Sequence, residues 1–480
     1  MPSNISYRIL RNGVLNFPRG SVTSKTAAET LLEKDAQEYH LFFNTSGFHN
    51  HLSHHILAAY DLGASSGHLQ KIYDYEARIQ RPIFLQEKDK DIQITDKNWS
   101  QYLGHKNENA YGGFVQFFNS RISTFGVLKT IDDFIFSPAA QEKSMLARLM
   151  GGVVHPFILL GYALEFGNEA LVATGLASTA IHDPFLPELF EPSASPSSPG
   201  LSVLEILKLL EESPSLKPAP YPEGTAFSRM GDLAKEGRPE AIRDLCSKFH
   251  VDETFTDSEM QAKIKELVWA AVLVLFATGR EGRKPRLDFF FMHLVTSSVF
   301  LRSYINALEK PAHKALIIKA FLPGIIMLSI FNGRPTIKPS LLMAATDRPR
   351  PPYISENPPY KSNGAGLGSP LNDDEYNPWP ALIEASLYAT DSHVLKTMRA
   401  LVAAAREYGD TPAGTVVGVF KHDDASKEIW PGASKLDGSA FVRAAGILMN
   451  YFGWTTYGQA EREDWDRSGL GWDEAWKKGD

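Results

Sequence analysis

Gly151-Gly-Val-Val-His-Pro-Phe-Ile-Leu-Leu-Gly-Tyr-Ala-Leu-Glu165 runs through Phe166 and Gly167 into Asn168-Glu-Ala-Leu-Val-Ala-Thr-Gly-Leu-Ala-Ser-Thr-Ala-Ile-His182. The apolar residues follow the helical period and do not alternate, so the stretch reads as helix on both sides of Gly167. Gly167 suits a tight turn. The spacing predicts helices over about 141–165 and 168–182, folded back as an antiparallel hairpin that brings His182 roughly level with His155.

The same period dominates in both directions along the chain. Thr26-x-x-Glu29 has the pattern of a capping box, opening a helix through Leu31, Leu32 and Ala36 toward His40. A helix over His51 to Leu62 stops at Gly63, a residue free to take the left-handed conformation. Further helices are expected near 66–79, 110–122, 238–249, 257–278 (capped by Thr256-x-x-Glu259), 287–308, 312–331, 379–389, 391–408 and 438–452. Residues 183–222 hold nine prolines and the run Ser193 to Pro199, with one short amphipathic segment, Val203 to Leu210. Proline cannot donate to a helix ladder, so this is a long surface connection. A second irregular stretch, 346–380, is rich in Pro, Gly and Asn. The tail beyond Trp454 is polar with three tryptophans and has no assignable element. Candidate ligands lie on both sides of both Pro-rich stretches, which favours loops on one body over linkers between two. The expected fold is all-α: a multi-helix bundle around a buried metal site, with long Pro-rich loops, forming one catalytic domain over residues 1–480.

The 480 residues are 43% apolar and 22% charged, enough for a large core and too apolar for global disorder. A net charge of −7 argues against a nucleic-acid binder, which needs a basic footprint. Cys246 is the only cysteine, so a disulfide framework, a thiolate zinc site and an iron–sulfur cluster are all excluded. Any metal must be held by imidazole, carboxylate or a less usual ligand. Met1 to Phe17 has no apolar run of signal-peptide length, and the longest strongly apolar stretch, Val268 to Ala277, is too short to cross a bilayer. A cytoplasmic location without a membrane partner is expected.

Fourteen histidines are placed unevenly. In Asn50-His51-Leu52-Ser53-His54-His55, His51 shares a helix face with His54 and His55, and an i,i+3 pair can offer two imidazoles to one ion. The same histidines could also stand in water at a polar helix start. His155 has only apolar or small neighbours, and Pro156 removes a helix hydrogen bond beside it. A buried imidazole needs a partner, so His155 is either a satisfied core residue or a ligand. His182 ends its helix, where a histidine also serves as a dipole cap. His293 is the one basic group in Leu287-Asp-Phe-Phe-Phe-Met-His293. In Asp391-Ser-His-Val-Leu-Lys396, Asp391 is an N-cap candidate, and His393 and Lys396 share a face one turn in. Separate helices thus each place a histidine in a buried-looking context, which is how all-α proteins build metal sites. Neutral imidazoles do not offset a divalent charge. Glu165 and Asp61 are carboxylate candidates by burial, but neither stands at a convincing ligand spacing.

Phe48-His-Asn-His-Leu-Ser-His54 with Leu62-Gly-Ala-Ser65, then His155-Pro-x-x-x-Leu-Gly-Tyr162, Leu287-Asp-Phe-Phe-x-Met-His293 and His393-x-x-Lys396-x-x-Arg399-Ala-Leu401, resemble in their order the questin oxidase-like proteins of fungal aromatic polyketide metabolism. The resemblance covers roughly residues 45 to 450. It implies oxidative ring opening of an anthraquinone or related polycyclic phenol with O2, at a mononuclear non-haem Fe(2+) held by four histidines and a carbamylated lysine. On that resemblance the metal ligands are His54, His155, His293, His393 and Lys396, while His51 and His182 are neighbouring or proton-transfer groups. It also implies a substrate pocket by Phe289 and Phe290. A carbamate forms only from a free amine, which burial of a lysine favours, and it supplies the missing anion.

Three other readings make distinct demands. A flavin or NADPH monooxygenase needs a Rossmann fingerprint after a strand. The glycine-rich candidate, Gly364-Ala-Gly-Leu-Gly-Ser369, lies in a Pro-rich loop with no strand before it. NADPH then remains only as an indirect reductant, for example of the substrate. A zinc hydrolase would use the same histidines, and a non-catalytic scaffold would bury them as ordinary core residues.

Overall fold

The computed structural model describes residues 5–191, 200–221, 229–352, 366–368 and 373–477. Among them helices dominate, and extended pairing is limited to isolated bridges such as Asp288 with Asp466. The all-α expectation therefore stands.

The helices that carry or brace the site are α1 (Leu52–Asp61), α2 (Tyr111–Phe125), α3 (Gly151–Phe166), α4 (Glu169–Ile181), α5 (Asp257–Phe276), α6 (Phe289–Ser298), α7 (Pro311–Phe331), α8 (Ser392–Tyr408) and α9 (Ala440–Phe452). All ten residues of α1 are buried, and α6 is buried from Phe290 to Ser298. A helix without a polar face has to lie inside the bundle. Accordingly α1 packs on α3, α3 on α6, α6 on α8, and α8 back on α1, closing a ring of four. Outer helices complete the layer: α4 covers α3, α2 covers α4, α5 and α7 cover α6, and α9 covers α8. One connected set of buried apolar side chains runs from Tyr7 to Trp465.

The predicted hairpin forms, with Gly167 in the left-handed region (φ +63°) and the Asn168 side chain accepting from Leu171 N–H to start α4. Its first arm is not one helix. Short helices Pro138–Glu142 and Met145–Leu149 precede α3, and Gly152, Val153 and Val154 all take positive φ (53°, 52° and 59°). The span 287–308 is likewise divided, into α6 and Phe300–Ala307. Thr26 does not cap. The helix begins at Ser24, and the Glu29 carboxylate accepts instead from Ile9 N–H. The Thr256–Glu259 capping box does form, as does one at Ser202–Glu205 ahead of Val203–Glu212, within the first Pro-rich stretch. The Ser193 to Pro199 run and half of the Gly364 to Ser369 motif lie outside the described residues.

Helix α7 is long and apolar enough to cross a bilayer, though most of its apolar stretch is buried inside the protein. The polar tail packs back on the body. Trp454, Trp465 and Trp476 are buried, and Asp466 exchanges backbone hydrogen bonds with Leu287 and Phe289 (2.8 and 2.7 Å) at the start of α6.

Candidate metal centre

Each helix of the central ring delivers one imidazole. His51 is the N-cap residue of α1, His155 lies in α3, His293 in α6 and His393 in α8. One ring nitrogen from each lies within 4.8 Å of one from every other. Burial holds all four well down from the ordinary histidine range or below it, helped by their mutual repulsion and by Lys396. They are therefore neutral, the form that binds a cation.

Three of the rings are aimed by their far nitrogen. His155 Nδ1–H donates to Gly152 O (2.6 Å), His293 Nδ1–H to Phe289 O (2.8 Å) and His393 Nδ1–H to Asp391 Oδ1 (2.8 Å). A proton fixed on Nδ1 leaves the Nε2 lone pair facing the middle. Nε2 of His293 and of His393 is buried without a hydrogen-bond partner among the described residues, and Nε2 of His155 meets only Nε2 of His51, at 2.9 Å. Buried polar atoms are normally paired, and convergent bare lone pairs fit a cation.

Lys396, one turn after His393 on α8, is also buried with an unpartnered Nζ. Burial pushes its pKa down to about 7 against the pull of Asp391 and Glu76. Asp391 is both helix cap and ring holder. Its Oδ1 accepts from the backbone and the ring of His393, and its Oδ2 accepts from Trp465 Nε1–H (2.7 Å). Burial opposes its ionisation, but the His393 contacts outweigh that and hold the carboxyl well below the usual range.

Further histidines lie close to this group. His54 lies outside it, buried, with its ring centroid 5.7 Å from that of His51 and 5.4 Å from that of Tyr162. His182 donates from Nδ1 to Ser178 O (2.6 Å), and its Nε2 meets Nε2 of His49 at 2.7 Å. The His49 ring in turn stacks on His155, 3.7 Å between centroids and 6° from parallel. His55 turns away to Glu76 (2.9 Å). Geometry thus groups His51 with the three histidines expected as ligands, and sets His54 beside them.

Neither candidate carboxylate reaches the centre. Asp61 and Glu165 grip the buried Arg399 guanidinium from either side, and they also accept from the backbone N–H groups of Val14, Leu15 and Asn16. Their burial signal is real, but its cause is an ion triad.

His49 carries no assigned role in the sequence reading, although it sits inside the first quoted block. Trp465 had no local signal at all. The left-handed turn before His155 was also invisible. Left-handed backbone costs roughly 1–2 kcal/mol per L-residue, and valine is a poor host for it. The turn presents Gly152 O to His155, and a Cβ at Gly152 would collide with the His182 ring.

The profile described as Questin oxidase-like matches residues 48–401, a span that contains every histidine of the centre, Lys396 and Arg399. The chain belongs to the questin oxidase-like family. Among its relatives, the Baeyer-Villiger oxidase ptaJ of Pestalotiopsis fici is 29% identical over 61% of this chain and 65% of its own length. The questin oxidase of Aspergillus terreus is 29% identical over 60% of this chain and 64% of its own. The oxidoreductase AflY of Aspergillus parasiticus is 29% identical over 79% of this chain and 73% of its own. The match to the first two thus spans just under two thirds of those relatives. The family span is narrower than the 45 to 450 suggested by the motifs, and Trp465 lies beyond it.

Proposed function

We propose that this chain is one catalytic body, a non-haem Fe(2+) oxygenase that opens a ring of an anthraquinone or related polycyclic phenol in a Baeyer–Villiger-type reaction. The observation that carries the reading is the convergence of four neutral imidazoles, from four helices, beside a buried amine without a hydrogen-bond partner among the described residues. His51, His155, His293 and His393 hold the metal, and Lys396, as its carbamate, supplies the anion that imidazoles lack. His51 therefore takes the ligand place that sequence resemblance gave to His54. When bound, the iron supplies a one-electron redox centre and stabilises developing negative charge.

The chain's own residues do the rest. Asp391, Gly152 O and Phe289 O keep three rings turned with Nε2 inward. Phe289, with its ring 4.8 Å from that of His293 and 5.4 Å from that of His393, gives a flat substrate an aromatic wall. The His49–His182 pair, joined Nε2 to Nε2 and stacked behind His155, is the relay that passes protons at the site. O2 is the oxidant. In the monooxygenase outcome one oxygen atom enters the product and the other leaves as water, with two electrons and two protons from a substrate first reduced to its hydroquinone, for which NADPH is a fitting external reductant. The work is that of a cytoplasmic enzyme on a small aromatic molecule.

The test is metal quantification on freshly purified protein and on Lys396→Ala, paired with oxygen uptake on a hydroxyanthraquinone hydroquinone. Iron near one per chain, lost in the variant together with oxygen uptake, is the expected result. Zinc with no oxygen uptake would move the same histidines to a hydrolase, and no metal in either protein would end the reading.

A further inference from the structure

A cavity of about 1030 Å3 opens between the tail, the start of α6 and helix α9. Its volume is at the upper end of small-molecule sites. We propose that this chamber receives the substrate as a hydroxylated polycyclic aromatic in its phenolate form, and that Arg467 is the positioning residue between the chamber and the imidazoles. The inference rests on the oxygenase reading for what happens next, but not for the binding itself.

The first argument is distance. Trp465, Asp466 and Arg467 line the chamber, and each touches a group that holds the metal centre. Trp465 donates to Asp391, which holds His393. The Asp466 carbonyl accepts from Phe289 N–H at 2.7 Å. The Arg467 guanidinium carbon lies 4.2 Å from the centre of the Phe289 ring, which also neighbours the rings of His293 and His393. A single layer of side chains therefore separates the chamber from the candidate ligands.

The second argument is charge. Lys284, Arg286, Arg443, Arg462 and Arg467 face the carboxylates of Glu463, Asp464 and Asp466, with Asp347 beside Arg443 (3.4 Å), leaving the wall with one more cation than anions in a chain that is anionic overall. Asp466 is committed to Arg286, and Asp464 stands 3.6 Å from Arg467. Arg467 remains 44% exposed at its side chain, so it is available to an incoming anion. The third argument is shape. Ile447, Tyr451, Pro285 and Trp465 add apolar and aromatic surface among the cations. A planar ligand with an ionised phenol meets both demands, and a guanidinium that already stacks on one ring can stack on a second.

The test is calorimetric titration of the full chain with a trihydroxyanthraquinone, as purified and after metal removal, with unsubstituted anthraquinone as the uncharged probe. Arg467→Glu and Ile447→Trp should each weaken binding of the hydroxylated probe by about tenfold or more, one by reversing charge and one by filling the chamber. Asn306→Trp, in a separate 320 Å3 cavity beside Glu165, should leave binding unchanged. Arg467 is exposed, so its variant decides the matter if Ile447→Trp does not fold. Equal affinity in the wild type and Arg467→Glu, or no binding by the wild type, overturns the assignment. Because the titration needs no turnover, a protein without iron or oxygen uptake that still binds in this pattern would defeat the oxygenase reading and leave the chamber standing.

Discussion

Lys396 and Arg399 are buried basic side chains one turn apart on the same helix, and they live in opposite surroundings. Arg399 is gripped by Asp61 and Glu165, which hold its proton more firmly than usual. Lys396 has no hydrogen-bond partner among the described residues, and burial brings its pKa down to about 7. Burial alone does not mark a functional group. A saturated buried charge reports on architecture, whereas an unsaturated one among bare lone pairs reports on something the site is built to accept.

Four measurements break or sharpen that contrast. The largest effect is expected from Arg399→Leu, which strands two buried carboxyls. Urea unfolding of the metal-free protein should show a loss of about 3–5 kcal/mol. A loss under about 1 kcal/mol would put Arg399 on the footing of a surface ion pair. Lys396→Met should act the other way. It removes an unpaired amine, so the metal-free protein keeps its stability, while Fe(2+) affinity falls about a hundredfold, or about 2.8 kcal/mol. Destabilisation of the metal-free variant would show that Lys396 is architectural after all. Asp391→Asn keeps the shape but weakens the hold on His393, and metal affinity measured by competition should drop about tenfold.

The fourth measurement concerns the triad's excess acid. Two carboxyls share one guanidinium, and burial raises Glu165 to about 7 from 4.5, against the pull of Arg399. Its folded pKa lies above the unfolded one, so the folded state holds the extra proton between those values. Stability should therefore be highest below about 4.5 and decline as pH rises toward 7, by at most about 1.4 kcal/mol per pH unit. Glu165→Gln should flatten that slope. An unchanged slope in the variant would assign it to another group.

Most of the helices were legible because apolar periodicity and caps such as Asp391 and Thr256 are local signals. The failures are as local as the successes. Thr26 and Glu29 match a capping pattern, but Glu29 is drawn off by Ile9, a partner no window around residue 26 contains. Val153 and Val154, left-handed beside Gly152 before His155, oppose their own propensities, and no window of sequence around them signals it. At the metal centre, sequence identified the helices that meet but not which imidazole of α1 faces inward. His51 and His54 share a face by spacing. The choice depends on where α1 sits in the ring, a property of packing. Asp61 and Glu165 show the converse, since their burial was readable and their partner, more than two hundred residues away, was not.

The ring of four helices also has a consequence for biosynthesis. His51 and His393 are separated by most of the chain, and Trp465 clasps Asp391 later still. A ribosome-bound chain lacking α8 offers isolated imidazoles and no enclosed cage. On the iron reading proposed above, a nascent or half-folded chain without α8 lacks His393 and Lys396 and so has only part of the cage.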